Sequence, residues 1–551
     1  MRERVTALFS PKVVRKSLQR STLLEKEWVV ITLLSIWGLF VYYHHQGTAL
    51  RGDEGMYAAI ARRITLTGEW FHLEYEGRAY FNKPPLLFWQ IALSMLVWGP
   101  SEFAVRFPSA TFGIATMFLV YYSGKVLFNR RVGLAAALIT ATTFASVFFA
   151  HQARFDIQLG FWMTVALFAF YLAYRGGGRR LGYLSLAFLS VTVGTMLKGP
   201  VAIILPGIVA LTFLVITRRS RVVMEVLYLT AGLAGFLLIT GVYYWRLGEP
   251  FNRHFFVGEN LTRLYHGNKP AFFYLYMLFP DFFPWSLFVP ALGLYLWMSH
   301  SLHSSEEDLL LRVWSIGFFL LLSLPSDKRE QFLVYLIPPF ALLMGRYWDH
   351  LFCGAERVTS AQDRFLRVTA TFVVAVTLGM MFAGPSLLER QYRIRPDFWS
   401  ISFALLLGVA CAGVLFTAWR SRPRAIFVSV LALSLMLTFA HVQFFYPALE
   451  RYDSAIPFSR QVRVVVGQSP LVLTAGADWA DIIYYLERPN PVPQLTPDEV
   501  SAALRSDGQV FGLMTKDQYD ELVRRGDPPL VCLPEYSYKR WKFVLVSNQR
   551  R

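Results

Sequence analysis

Residues 51–64 read RGDEGMYAAIARRI and follow directly on an apolar run, VVITLLSIWGLFVYY at 29–43; YFNKPPLLFW comes soon after at 80–89. An Asp-Glu pair and a lysine at the point where a helix leaves a bilayer are costly and rarely without function. Asp53, Glu54 and Lys83 therefore mark a site at a membrane surface, and the rest of the chain reads as the scaffold that holds it.

Composition supports the membrane reading. The 551 residues are 55% hydrophobic and 16% aromatic, and only 17% are charged, against about 25% in soluble domains. A spanning helix needs about 20 apolar residues. The apolar runs here are continuous, as in VLALSLMLTFAHVQFF at 430–445, without the alternation of a closed β-barrel. The fold class expected is a polytopic α-helical membrane protein with a small C-terminal α/β domain.

The net charge is +17, yet from Tyr446 onward Lys/Arg and Asp/Glu are equal at 13 each. The excess sits in short loops: Lys12 to Arg20, Arg130-Arg131, Arg175 to Arg180, Arg218 to Arg221 and Arg420 to Arg424. Such clusters mark the cytoplasmic side. Scattered between spans, they form no single patch of the kind nucleic acid requires, so no nucleic-acid partner is expected. Cys353, Cys411 and Cys532 have no metal-ligand or disulfide spacing.

Alternating sides by the basic loops gives a consistent topology. A cytoplasmic basic N-terminus (1–27) leads into an uncleaved first span. A membrane part (28–446) has about thirteen spans, with a first external loop at 47–105. A C-terminal α/β segment (447–551) then lies outside. PLLFWQIALSMLVW at 85–98 opens on a proline pair and is expected to lie along the interface. In the stretch before it, helical spacing puts Tyr57, Ile60 and Ile64 on one face. In the last hundred residues, short apolar strands alternate with helical stretches. That alternation argues for a small, mostly parallel sheet, with Thr496 and Thr515 as helix caps.

Under this topology the unusual polar residues gather on one side. Asp53, Glu54 and Lys83 are joined by Arg154 and Asp156 (HQARFDIQ), Lys198 (LKGP), and Arg263 and His266 in the loop at 246–275. Asp327, Lys328 and Arg329 complete the set. A transporter keeps coupling charges near the midplane on interrupted helices, whereas these stand at helix ends; transport remains a remote alternative. Acids meeting bases at a membrane surface suit a phosphate-bearing lipid substrate. Lys and Arg can hold a phosphodiester. A carboxylate can deprotonate an acceptor or hold a divalent cation. Asp53, Asp156 and His266 are the candidate ligands for such a cation.

Taken in order, RGDEGMYAAIAR, YFNKPPLLFW, SEFAVRFPSA, ARFDIQLGFW, LKGP and KREQFLVYLIPPFALL resemble the GT-C superfamily of integral membrane glycosyltransferases. The closer similarity is to the aminoarabinose (ArnT-like) transferases and the related protein O-mannosyltransferases. That resemblance implies inverting transfer of a sugar from a polyprenyl-phosphate donor on the extracytoplasmic face. It casts Asp53 and Asp156 as the family's acids, Lys83 as the motif lysine, and Arg154 and Lys198 as contacts to the donor phosphate, at the external face of a bacterial inner membrane. By their place beside these, Glu54 joins the candidate catalytic acids, and Tyr57, Tyr80, Arg263, Lys328 and Arg329 join the candidate donor and substrate contacts. With a hydroxyl acceptor Asp53 would be the base. With lipid A phosphate, the leading acceptor, it would orient substrates or contact an aminosugar. Another envelope glycan or a protein hydroxyl is the alternative. One departure stands out: the aminoarabinose enzymes typically have a glutamate before the motif lysine, and here that position is Asn82.

Overall fold

The computed structural model describes residues 27–549, apart from 45–46, 218–221, 266, 300–304, 354–359, 393–397, 421, 453, 478, 489, 526–529 and 539–540. The basic N-terminus, the Arg218–Arg221 cluster and His266 lie outside the described residues, as does the side chain of Arg263.

The molecule is mainly helical. Helix α1 (Glu27–Tyr43) leads to α2 (Asp53–Thr67), a two-strand hairpin of β1 (Glu74–Tyr75) and β2 (Arg78–Ala79), and α3 (Leu86–Trp98). Next come α4 (Glu102–Leu127), the bent pair α5 (Arg130–Thr142) and α6 (Phe144–Ala150), α7 (Phe155–Arg175) and α8 (Arg180–Lys198). Among the described residues six helices are long and apolar enough to cross a membrane, or up to eight if each of two bent pairs is one span. One bend, of 118°, separates Phe273–Asp281 from Trp285–Trp297, where the apolar run at 276–298 reads as one span. Pro280 and Pro284 flank the break, and proline removes the N–H that would carry the helix through. Helix α3 is only 13 residues, about 20 Å, too short to span alone. Its Leu93, Leu96, Val97 and Trp98 remain exposed, as an interfacial helix requires.

Helix α2 begins where it does because Gly52 takes φ 59°, a conformation that costs glycine least. As expected, Tyr57, Ile60 and Ile64 are buried together. They face α3 and the C-terminal segment across one shared apolar core that includes Phe88, Phe155, Phe458, Trp479 and Phe543. Gly55 permits the close approach: a Cβ there would lie 2.4 Å from the carbonyl oxygen of Ala480.

The C-terminal sheet has five strands in the order β4-β3-β5-β7-β6: β3 (Leu471–Thr474), β4 (Gln494–Leu495), β5 (Phe511–Thr515), β6 (Leu530–Tyr538) and β7 (Trp541–Ser547). The expectation of a mostly parallel sheet holds only for β4-β3-β5. Strand β7 pairs antiparallel with β5 and with β6; the two residues between β6 and β7 allow a hairpin but no crossover. Thr496 and Thr515 cap their helices, each closing a capping box, with Glu499 and Gln518 respectively.

Candidate active site

Asp53 and Glu54 are adjacent on the first turn of α2, so their side chains point about 100° apart. The helix thereby sends them to different environments. Glu54 is 1% exposed and grips Arg106 of α4 with both oxygens, at 2.8 and 2.9 Å. It also accepts the backbone N–H groups of Ala153 (2.8 Å) and Arg51 (3.1 Å). Burial alone would raise its carboxyl pKa, but the Arg106 guanidinium and these backbone donors outweigh burial and hold it below the usual carboxylate range. Arg106 in turn donates to the carbonyls of Thr48 and Ala49. Glu54 thus ties the start of α2 to α4 and the loop before α7. It is not among the residues that line the cavity described next.

Asp53 opens into a cavity of about 210 Å³ lined also by Tyr57, Tyr80, Asn82, Lys83, Arg154, Asp156, Lys198, Glu259, Arg329, Gln331 and Phe332. Most of the expected site residues therefore meet, delivered by α2, the YFNK turn, the starts and ends of α7 and α8, and the segment after Asp327. Lys328 does not: it is buried and donates to the Pro325 carbonyl at 2.7 Å.

Three ion pairs organise the walls. Arg154 reaches Asp53 at 3.4 Å, and Asp53 remains 45% exposed, the most open of the paired acids here. Lys83 holds Glu259 at 2.9 Å. Lys198 contacts Asp156, which also accepts from the Tyr335 hydroxyl. Lys198 donates to that hydroxyl at 3.0 Å and stands 4.2 Å from the Phe332 ring centre. Asp156 is thus enclosed and doubly held, while Asp53 is accessible. The phenol of Tyr57, behind Asp53, is pushed up by burial and by the Asp53 charge, so it stays protonated at neutral pH.

Sequence reading missed Glu259, Tyr335 and Arg106. The last two sit inside stretches already singled out, SEFAVRFPSA and KREQFLVYLIPPFALL. Glu259 lies on a π-helical turn, Arg253–Leu261. The acid missing at Asn82 is supplied to Lys83 from this distant segment, and Asn82 instead accepts from the His254 ring at 2.9 Å. Among the described residues no three His, Cys, Asp or Glu side chains are grouped to hold a metal ion. Asp53 and Asp156 each face a base.

Residues 82–245 match the dolichyl-phosphate-mannose-protein mannosyltransferase family. The chain is 30% identical over 388 residues to an undecaprenyl phosphate-alpha-4-amino-4-deoxy-L-arabinose arabinosyl transferase of Pseudomonas aeruginosa UCBPP-PA14, covering 68% of each. A relative of the same name from Pseudomonas fluorescens Pf0-1 is 28% identical over 332 residues; the match takes in 58% of this chain and spans 56% of the relative's length. The crystal structure of ArnT from Cupriavidus metallidurans bound to undecaprenyl phosphate superposes with a TM-score of 0.76 at 20% identity, covering 94% of this chain and 98% of that one. That likeness establishes the fold. With the P. aeruginosa match, it places the chain in the family of undecaprenyl phosphate-aminoarabinose arabinosyl transferases, within the GT-C superfamily.

Proposed function

We propose that the protein is an inverting glycosyltransferase that moves a sugar from a polyprenyl-phosphate donor to an envelope acceptor, with lipid A phosphate as that acceptor. The observation that carries this reading is the single cavity where Asp53, Lys83, Arg154, Asp156, Lys198 and Arg329 meet in a chain of this family. Four bases against three acids line it, a surplus suited to a phosphodiester. Lys83 holds the donor phosphate, exchanging Glu259 for it, and Arg329 stabilises the charge that gathers as the phosphate leaves. The acceptor oxygen attacks the anomeric carbon from the opposite face. The bond from that carbon to the phosphate oxygen breaks, and the phosphate departs with the electron pair.

A phosphate acceptor is already anionic and needs no base. Asp53 then orients the sugar and holds Arg154, and an aminosugar's ammonium would pair with its open carboxylate. A hydroxyl acceptor would instead give its proton to Asp53. Asp156, enclosed by Lys198 and Tyr335, fixes the lysine rather than meeting substrate.

The thirteen-span topology belongs to the same proposal. Helices fill most of the described residues between Glu27 and Ala440, six to eight of them long and apolar enough to cross a bilayer, in keeping with a cytoplasmic segment 1–27, a membrane part 28–446 and a periplasmic segment 447–551. The cavity and the C-terminal sheet then face the periplasm of a multi-pass inner-membrane enzyme. The test is transfer by the purified protein from undecaprenyl-phosphate aminoarabinose to lipid A. Product formed by wild type and lost in Asp53→Asn and Lys83→Ala supports the reading. Intact donor carried across vesicles without product would replace it with transport.

A further inference from the structure

A second cluster of guanidinium groups lies outside the reaction cavity. Arg62 and Arg63, in the last half of α2, face Arg488 of the C-terminal segment across a pocket of about 40 Å³ that Tyr75, Glu74, Glu76 and Asn490 also line. By the water-sized measure this is room for about three waters or one tetrahedral anion.

The charges there are incompletely matched. Arg63 reaches Glu74 only at 3.5 Å. The Glu76 carboxylate is taken by the backbone N–H of Val492. Arg62 donates to the Tyr484 carbonyl at 3.1 Å and lies over that ring. Arg488 donates to the Ser469 carbonyl at 2.9 Å. Two donors, Arg63 Nε and Arg488 Nη2, are buried with no hydrogen-bond partner among the described residues. A buried guanidinium N–H left unpaired forfeits its hydration without return. The Arg488 charge is further disfavoured by burial, so a bound anion would stabilise both. Such a forked set of donors matches a phosphate group.

The pocket is also well placed. It lies toward the opposite end of α2 from Asp53, about 15 Å along the helix axis, and it is built jointly by the first external loop and the C-terminal segment. We infer that Arg62, Arg63 and Arg488 form a second anion site that takes a phosphate on the acceptor headgroup while another part of that headgroup reacts at Asp53. This rests on the acceptor class proposed above. It also gives the C-terminal segment a role in acceptor binding.

Titration of the full-length protein in detergent with inorganic phosphate, followed by its thermal unfolding midpoint, tests the site itself. A saturable rise in midpoint that disappears in Arg63→Gln and Arg488→Gln but survives in Lys83→Ala supports it. A rise that survives both arginine changes, or no rise at all, overturns it. Steady-state transfer tests the occupant. Arg488→Gln should raise the acceptor KM about tenfold, as expected for losing one charge-assisted bond, while the donor KM holds and Arg488→Lys restores part of the loss. The rise should vanish with an acceptor that carries a single phosphate. An unchanged acceptor KM with phosphate binding lost would remove the acceptor as occupant and leave an anionic phospholipid headgroup in its place. Absence of all transfer to lipid A, with phosphate binding intact, would overturn the proposed acceptor and leave the anion site standing.

Discussion

Asp53 and Glu54 differ by one methylene and one position, yet their chemistry diverges because a helix turns between them. Asp53 stays accessible beside Arg154, so Asp53→Asn should lower transfer by about 100-fold, the loss expected when a group that orients the substrate is removed. Membrane insertion should remain normal, as judged by detergent extraction and size-exclusion profile. Lys83→Ala should lose about 100- to 1,000-fold for want of a donor-phosphate contact. Glu54→Gln tests something else. It leaves the Arg106 charge buried and short of its partner, at a cost of about 3–5 kcal/mol, so its mark is a lowered unfolding temperature. Because the folded Glu54 carboxyl sits below its ordinary value of 4.5, its stabilisation is complete above that value and is lost as pH falls through the folded one. Unfolding midpoints of wild type and Glu54→Gln should therefore converge in that acid window, and a constant gap down to low pH would refute the assignment. The sequence displays both acids but not their division. Glu54 finds its partner 52 residues away, which no local spacing reveals.

Among elements, α2 carries the most weight, since its start builds the reaction cavity, its face packs on α3 and its end builds the arginine pocket. That reach depends on Gly55, whose missing Cβ lets the helix lie against the Ala480 carbonyl. Gly55→Ala should force α2 away from the Ala480 backbone at a cost of about 1–3 kcal/mol, seen as a lower unfolding midpoint with weaker acceptor affinity. The apolar face of α2 and the two helix caps, Thr496 and Thr515, were legible because each is set by residues within a turn or two. The 118° break near Pro284 and the final antiparallel hairpin were not. Hydropathy averages over a bend, and strand direction is fixed by a connection whose length alternation does not report. The π-helical turn that brings Glu259 to Lys83 left no local pattern to read.

On the scale of the whole molecule, the C-terminal segment and residues 47–105 share one core, so the sheet is part of the cavity's support rather than an appended module. The ordered motifs made the fold readable, because five of the six meet at one cavity and the sixth, SEFAVRFPSA, holds Glu54 beside it through Arg106. The acceptor was less so. A surplus of bases serves the donor phosphate as well as an anionic acceptor, and Asn82 removes the family's usual acid. The central claim is transfer to lipid A, and mass spectrometry of lipid A from cells with the gene, without it, and complemented with Asp53→Asn tests it most directly. The account predicts an aminopentose increment on a lipid A phosphate that is present only with the wild-type gene. Identical lipid A spectra in all three would contradict it and turn the search to protein or glycan hydroxyls, with Asp53 as their base.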